Sequence, residues 1–255
     1  MSKVVVVTGA SRGIGLAIVK HILTTSPGSK VIAVARSHEK LQQIQTQFGS
    51  DRVLTIVGDL SQKSTAGKII SQSIAKFGKL DSLVLNAGVL EPVKHIDSID
   101  VDEVRKLFEV NFFSIIELVS AAIPHLRETK GNCIFVSSGA STKAYDGWSA
   151  YGASKAALNH FCLSLSAEEE LISSISVAPG VVNTEMQADI REKFGVNMKP
   201  DVLERFNSLH TNNELLDPEV PGTIYANLAL NGIPTSLNGK YLRYDDASLK
   251  AFAKN

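Results

Sequence analysis

Short apolar runs alternate with longer stretches of helical periodicity along the whole chain. The runs predict strands near residues 3–8, 30–35, 53–58, 82–86, 132–138, 174–178 and 240–243. The periodic stretches predict helices near 12–26, 37–48, 63–77, 101–129, 151–171, 187–193 and 218–231. Val4-Val5-Val6-Val7 is β-branched throughout and has no polar face, as a strand covered on both sides requires. Strands that alternate with helices imply parallel βαβ units with right-handed crossovers. The expected class is therefore α/β, a doubly wound parallel sheet with helices on both faces. Ligands in such sheets bind at the carboxyl ends of the strands, near the point where strand order reverses. The least regular stretch is 183–217, which is polar and interrupted by Pro200.

A chain of 255 residues can hold one large domain or two small ones. No Pro/Gly/Ser-rich linker divides it, so residues 1–255 are read as a single domain. The 26 basic and 26 acidic residues cancel, which removes the electrostatic case for nucleic acid or an anionic membrane. No apolar run is seen to approach the roughly 20 residues that span a bilayer. The first predicted strand begins at once, and no signal or transit peptide is expected. Cys133 and Cys162 lie in apolar contexts and are read as buried free thiols, which suits a reducing cytoplasm.

Two local patterns carry chemistry. Thr8-Gly9-Ala10-Ser11-Arg12-Gly13-Ile14-Gly15 follows the first strand, and a helical pattern begins directly after it. Strand, glycine-rich turn and helix in that order cradle phosphate: glycines let the backbone approach, and the helix start presents free N–H groups. The second pattern is Tyr151-Gly152-Ala153-Ser154-Lys155. A spacing of four puts Tyr151 and Lys155 on one helical face. An ammonium one turn away is expected to favour the phenolate and bring the tyrosine pKa down from its usual value of about 10. The tyrosine can then act as a general acid–base.

With Asn86-Ala87-Gly88, Asn111 and Ser138 added, these motifs resemble the short-chain dehydrogenase/reductase family in order and interval. The resemblance covers roughly residues 3–185. More narrowly, Ala87-Gly88-Val89-Leu90-Glu91-Pro92-Val93, Asn111-Phe112-Phe113-Ser114 and Leu237-Asn238-Gly239-Lys240-Tyr241-Leu242-Arg243-Tyr244 are similar to fungal carbonyl reductases related to sepiapterin and benzil reductases. The resemblance implies a Rossmann fold with seven strands ordered 3-2-1-4-5-6-7. It implies that Ser138 bonds the substrate carbonyl, Ser137 being the alternative by a slip of one, and that Tyr151 donates the proton. It also implies that Lys155 bonds the nicotinamide ribose, and that Asn111 interrupts its helix to hold a water linking Lys155 to solvent. Asp59-Leu60 is placed along the adenine, Asp59 being also a helix N-cap with Ser61 following. Pro179-Gly180-Val181-Val182-Asn183-Thr184 is placed at the nicotinamide carboxamide, through the Val182 backbone and the Thr184 hydroxyl. Thr184 alternatively caps the next helix. Gly9, Ser11, Arg12, Ile14, Asn86, Ala87 and Gly88 complete the expected cofactor contacts.

The end of the second strand separates NAD from NADP. It carries Arg36-Ser37 and no acid, and Arg12 is within reach. Two guanidinium groups suit a 2′-phosphate, so NADP is the expected cofactor. Tyr145 and Trp148 are read as walls of the substrate pocket. His95, His160 and His210 show no zinc-ligand pattern. The stretch 183–217 is read as a substrate lid. The resemblance to sepiapterin reductases, which place an acidic residue in the corresponding tail, makes Asp245 or Asp246 a candidate to grip a pterin-like substrate, the alternative being solvated acids. In the family that the chain resembles, helices at the positions of 101–129 and 151–171 commonly form a dimer interface, which implies a homodimer. The leading reading is an NADPH-dependent reductase of a ketone, diketone or pterin-like carbonyl. Its alternatives are a catalytically silent NADP sensor of the same fold and an epimerase or dehydratase, for which the chain is short.

Overall fold

A computed structural model describes residues 2–254. Seven strands form one sheet: β1 (Val4–Thr8), β2 (Lys30–Ala35), β3 (Val53–Val57), β4 (Ser82–Leu85), β5 (Asn132–Val136), β6 (Ser173–Ala178) and β7 (Tyr241–Arg243). Their order is β3-β2-β1-β4-β5-β6-β7, and every pairing is parallel. Val5 lies opposite Val31 of β2 and Ser82 of β4. The strand order reverses between β1 and β4, which opens a crevice at their carboxyl ends.

The valine run shows how the two layers arise. Side chains alternate across a strand, so Val5 and Val7 enter one core with α1 (Gly13–Thr25), α2 (His38–Phe48) and α9 (Glu219–Asn231). Val4 and Val6 enter the other core with α3 (Ser64–Phe77), α5 (Ser114–Thr129) and α6 (Ser149–Glu168). Each fully buried valine contributes roughly 1.5–3 kcal/mol. Helices α1 and α9 meet at Gly222, where a Cβ would stand 2.8 Å from Ala17 Cβ. Cys133 and Cys162 are free and buried in the second core, and burial pushes both thiols up, away from ready ionisation.

Three elements differ from the pattern read in the sequence. The helix expected over 101–129 is α4 (Val101–Phe108), a π turn over Glu109–Phe113 and α5. By length and composition Val101–Thr129 is long and apolar enough to cross a membrane. It instead buries Leu107 among residues near the site, and Ile115, Leu118, Val119, Ala122 and Leu126 on the sheet. Over 183–217 the predicted helix 187–193 is α7 (Glu185–Asp189) running into a π turn, and a further helix follows, α8 (Pro200–Thr211). Pro200 starts that helix rather than breaking a segment, because proline is tolerated at the first helical position. The polar C-terminal end forms a 3₁₀ turn over Ala247–Phe252 that buries Leu249 and Phe252.

Candidate active site

The loop after β1 is built around Thr8 and three glycines. Thr8 Oγ1 accepts the Asn86 and Ala87 backbone N–H groups, each at 3.0 Å, and Asn86 Nδ2 donates to Thr8 O at 2.8 Å. The ends of β1 and β4 are thereby held together. Gly9 has φ 66° and Gly13 φ 52°, where non-glycine residues are strained. A Cβ on Gly15 would stand 2.2 Å from Gly9 O, so the loop closes only around hydrogen at that position. No side chain caps the N-terminus of α1, and its first N–H groups are open to an anion.

In front of this loop runs a cleft of about 380 Å³. Gly9, Ser11, Arg12, Ile14, Arg36, Asp59, Leu60, Asn86, Ala87, Gly88, Tyr151, Lys155, Pro179 and Thr184 all line it. Gly180 and Val182 do not. Gly180 packs on Leu216 and Tyr244, and Val182 is buried and bridges to Leu216, so their side of the segment faces the polypeptide. Thr184 occupies the N-cap position of α7 without a capping side-chain bond; its hydroxyl lies 3.4 Å from Val182 O. Asp59 accepts Ser61 N and Oγ at 2.9 and 2.8 Å. It closes the turn before α3 rather than capping the helix, whose N-cap is Lys63. The two bonds from Ser61, chiefly, hold its carboxyl below the usual range, with Arg36 adding to them.

Two further charged residues line the cleft. Lys40, one turn into α2, joins Arg12 and Arg36. Glu185 pairs with Arg12 and stands 3.5 Å from Lys40. The sequence signal for Lys40 was its position just beyond Arg36-Ser37. Glu185 had none, because its partners are distant in sequence. Cradle, open helix start and cations together fit a dinucleotide.

At the other end, burial in α6 governs the chemistry. Tyr151 is 7% exposed and Lys155 2%. Burial holds the Tyr151 phenol above its usual range, while the Ser138 hydroxyl hydrogen-bonded to it pulls the other way. Burial brings the Lys155 ammonium down to about 8. The expected lowering of the tyrosine by the lysine is not what the geometry gives. Lys155 Nζ donates to Val136 O at 2.8 Å and sits 5.9 Å from the ring centre of Tyr151, so desolvation dominates.

The structure separates Ser137 from Ser138. β5 ends at Val136. Ser137 lines the cleft, which Ser138 does not, and its hydroxyl donates to Asn159 Oδ1 at 2.6 Å. Ser138 faces Tyr151, and its Oγ accepts the Ala140 N–H at 3.1 Å, which leaves the hydroxyl proton available to an acceptor. Asn111 is fully buried. Its Nδ2 donates to Val89 O at 2.8 Å and Ser154 Oγ at 3.2 Å, and its Oδ1 accepts Val89 N at 2.8 Å. The side chain thus fastens the π turn to the chain beyond β4.

Beside Tyr151 lies a third apolar cluster that includes Leu90, Val93, Trp148, Ile190, Phe194 and Phe206. Tyr145 and Phe206 both stack on Trp148, at 5.1 and 5.5 Å between ring centres, and Trp148 meets Tyr151 edge-on. Phe206 belongs to α8, so residues 183–217 supply one side of this wall. Asp245 pairs with Arg243, and Asp246 accepts Ser248 N and Oγ. Both acids are engaged within the C-terminal segment.

The crevice, the glycine cradle and the Ser138–Tyr151–Lys155 group define an oxidoreductase that works with a nicotinamide dinucleotide. The family profile described as short chain dehydrogenase matches residues 3–195, and the chain belongs to that family. It is 48% identical to benzil reductase ((S)-benzoin forming) of Saccharomyces cerevisiae, over 98% of this chain and 98% of the relative. The crystal structure of the KRED1-Pglu enzyme is similar at 60% identity and TM-score 0.92, covering 94% of this chain and 99% of that one. A short-chain dehydrogenase/reductase structure from S. cerevisiae is similar at 46% identity and TM-score 0.97, covering 99% of this chain and 100% of that one.

Proposed function

We propose that this protein is an NADPH-dependent carbonyl reductase acting on ketones, diketones or pterin-like carbonyls. One observation carries the reading: a single cleft joins the buried Tyr151–Lys155 pair to Arg12, Arg36 and Lys40. NADPH bound there would supply a hydride to the substrate carbonyl carbon. Arg12, Arg36 and Lys40 would hold the 2′-phosphate, the α1 N-terminus and glycine loop the pyrophosphate, and Asp59-Leu60 the adenosine end. Ser138 donates its hydroxyl to the carbonyl oxygen and polarises it. Tyr151, kept protonated by burial, gives its proton to that oxygen, which completes the alcohol. Lys155 stays largely charged at neutral pH and offsets the phenolate left behind. General acid catalysis of this kind contributes ~10²–10⁴-fold.

The benzil reductase relative supports an aryl diketone, and the wall of Tyr145, Trp148 and Phe206 offers flat apolar faces to aryl rings. In the same reading residues 1–255 are one domain, and 183–217 form a lid. Phe113 and Leu163, 45% and 53% exposed, lie on the helices that would pair two copies into a homodimer. Buried free thiols suit the cytoplasm. The test is oxidation of NADPH and NADH with benzil, sepiapterin and simple ketones. We expect NADPH-driven reduction of at least one. Tight NADPH binding with no turnover across the panel would favour the silent sensor.

A further inference from the structure

Helix α6 presents a third polar residue on the face of Tyr151 and Lys155. Asn159 lies one turn beyond Lys155, at the same spacing of four. Its side chain reaches the turn Gly139–Ser141, which follows Ser138. Asn159 Oδ1 accepts the Ser137 hydroxyl at 2.6 Å, Asn159 Nδ2 donates to Ser141 Oγ at 2.9 Å, and Ser141 Oγ donates to Ser138 O at 2.6 Å. The direction of this chain of bonds is determined. The Ser138 carbonyl only accepts, so the single Ser141 proton goes to it. Ser141 must then receive an N–H, so Asn159 turns its Nδ2 there and its Oδ1 to Ser137.

We infer that Asn159 is a positioning residue for Ser138: it sets the turn that aims the Ser138 hydroxyl at the substrate carbonyl. This rests on reading Ser138 as the group that polarises that carbonyl. Two other contacts seat the same turn. A Cβ on Gly152 would stand 2.7 Å from Ala140 O, so α6 presses on the turn there. From β7, Tyr241 OH donates to Ser138 O at 3.2 Å. Neither contact orders Ser137 and Ser141 together, which the carboxamide of Asn159 does with one donor and one acceptor.

Asn159→Asp tests this with almost no change of shape. A carboxylate accepts from Ser137 but cannot donate to Ser141. It draws the Ser141 proton away from the Ser138 carbonyl. We expect kcat to fall about 10-fold, the effect of misdirecting a partly buried neutral hydrogen-bond network. KM and Kd for NADPH, the latter read by fluorescence titration, should stay within about twofold, since no cofactor contact changes. Ser141→Ala removes the same final bond without an added charge. It should show a similar loss, and the two losses should fail to add in the double variant. Ser138→Ala is the reference. If it loses turnover while Asn159→Asp and Ser141→Ala both keep theirs within about threefold, or if their losses add fully, Asn159 does not position Ser138. If Ser138→Ala itself retains turnover, the reading of Ser138 fails instead.

Discussion

The Lys155 ammonium lies 5.9 Å from the centre of the Tyr151 ring and donates its hydrogen bond to Val136 O. Both residues are buried, and a buried charge destabilises the fold that holds it. The folded pKa of Lys155, about 8, is below its ordinary 10.5. Below pH 8 both states are protonated, and the folded state carries the full penalty. Between about 8 and 10.5 the unfolded chain binds the proton that the folded chain has released, so this group makes stability rise with pH. Above about pH 10 the burial-raised pKa values of Tyr151 and Tyr225 act in the opposite sense. Lys155→Met is therefore expected to stabilise the protein free of ligand at pH 7 by roughly 1–3 kcal/mol while removing activity. Urea denaturation at pH 7 and pH 10 measures this, and a variant no more stable than the parent at pH 7 contradicts it.

Tyr151→Phe removes the transferable proton and little else. Turnover should drop at least ~10²-fold with NADPH affinity nearly intact. Near-normal turnover would remove Tyr151 from the role of acid.

Arg36→Asp places a like charge where the 2′-phosphate is expected. The ratio of kcat/KM with NADPH to that with NADH should fall by at least ~10-fold, because the substitution both deletes a partner and adds repulsion. With Lys40 lining the same cleft, Lys40→Ala should lower the ratio in the same direction by less. An unchanged ratio in both variants would move cofactor choice elsewhere.

Residues 183–217 join the cleft, at Thr184 and Glu185, to the aromatic wall, at Phe206, through α7 and α8. Lid segments order on ligand binding and exclude water. Amide exchange here should be faster than in the sheet for the free protein and markedly slower once NADP and a product alcohol are bound. Equal protection in the two states would make this segment a fixed part of the scaffold.

Much of this protein is legible in local pattern. The valine run of β1, the glycine loop and the spacing of Tyr151 and Lys155 each report on neighbours within a few residues. Burial on both faces, a tight turn and a shared helical face leave such periodic traces. Seven strands and their parallel pairing follow from the alternation of runs. The misreadings came where a residue's meaning depends on a distant partner. Pro200 looked like a break because what it starts, α8, is held by Phe206 against Trp148.

The sequence by itself determined the sheet, its class and the small set of residues able to carry the chemistry. Tertiary structure alone decided how those residues are used. A slip of one residue reverses the side to which a chain in extended conformation points, so only the packing of α6 on the end of β5 turns Ser137 toward Asn159 and Ser138 toward Tyr151. Lys155 was expected to act on the tyrosine hydroxyl, yet the nearby Val136 carbonyl accepts its hydrogen bond and burial governs both pKa values. Glu185 meets Arg12 and Lys40 only because the N-terminal ends of α1, α2 and α7 converge at one end of the sheet. Spacing along a chain records which face a side chain occupies, whereas distance to a partner and exclusion of water are properties of the assembled fold.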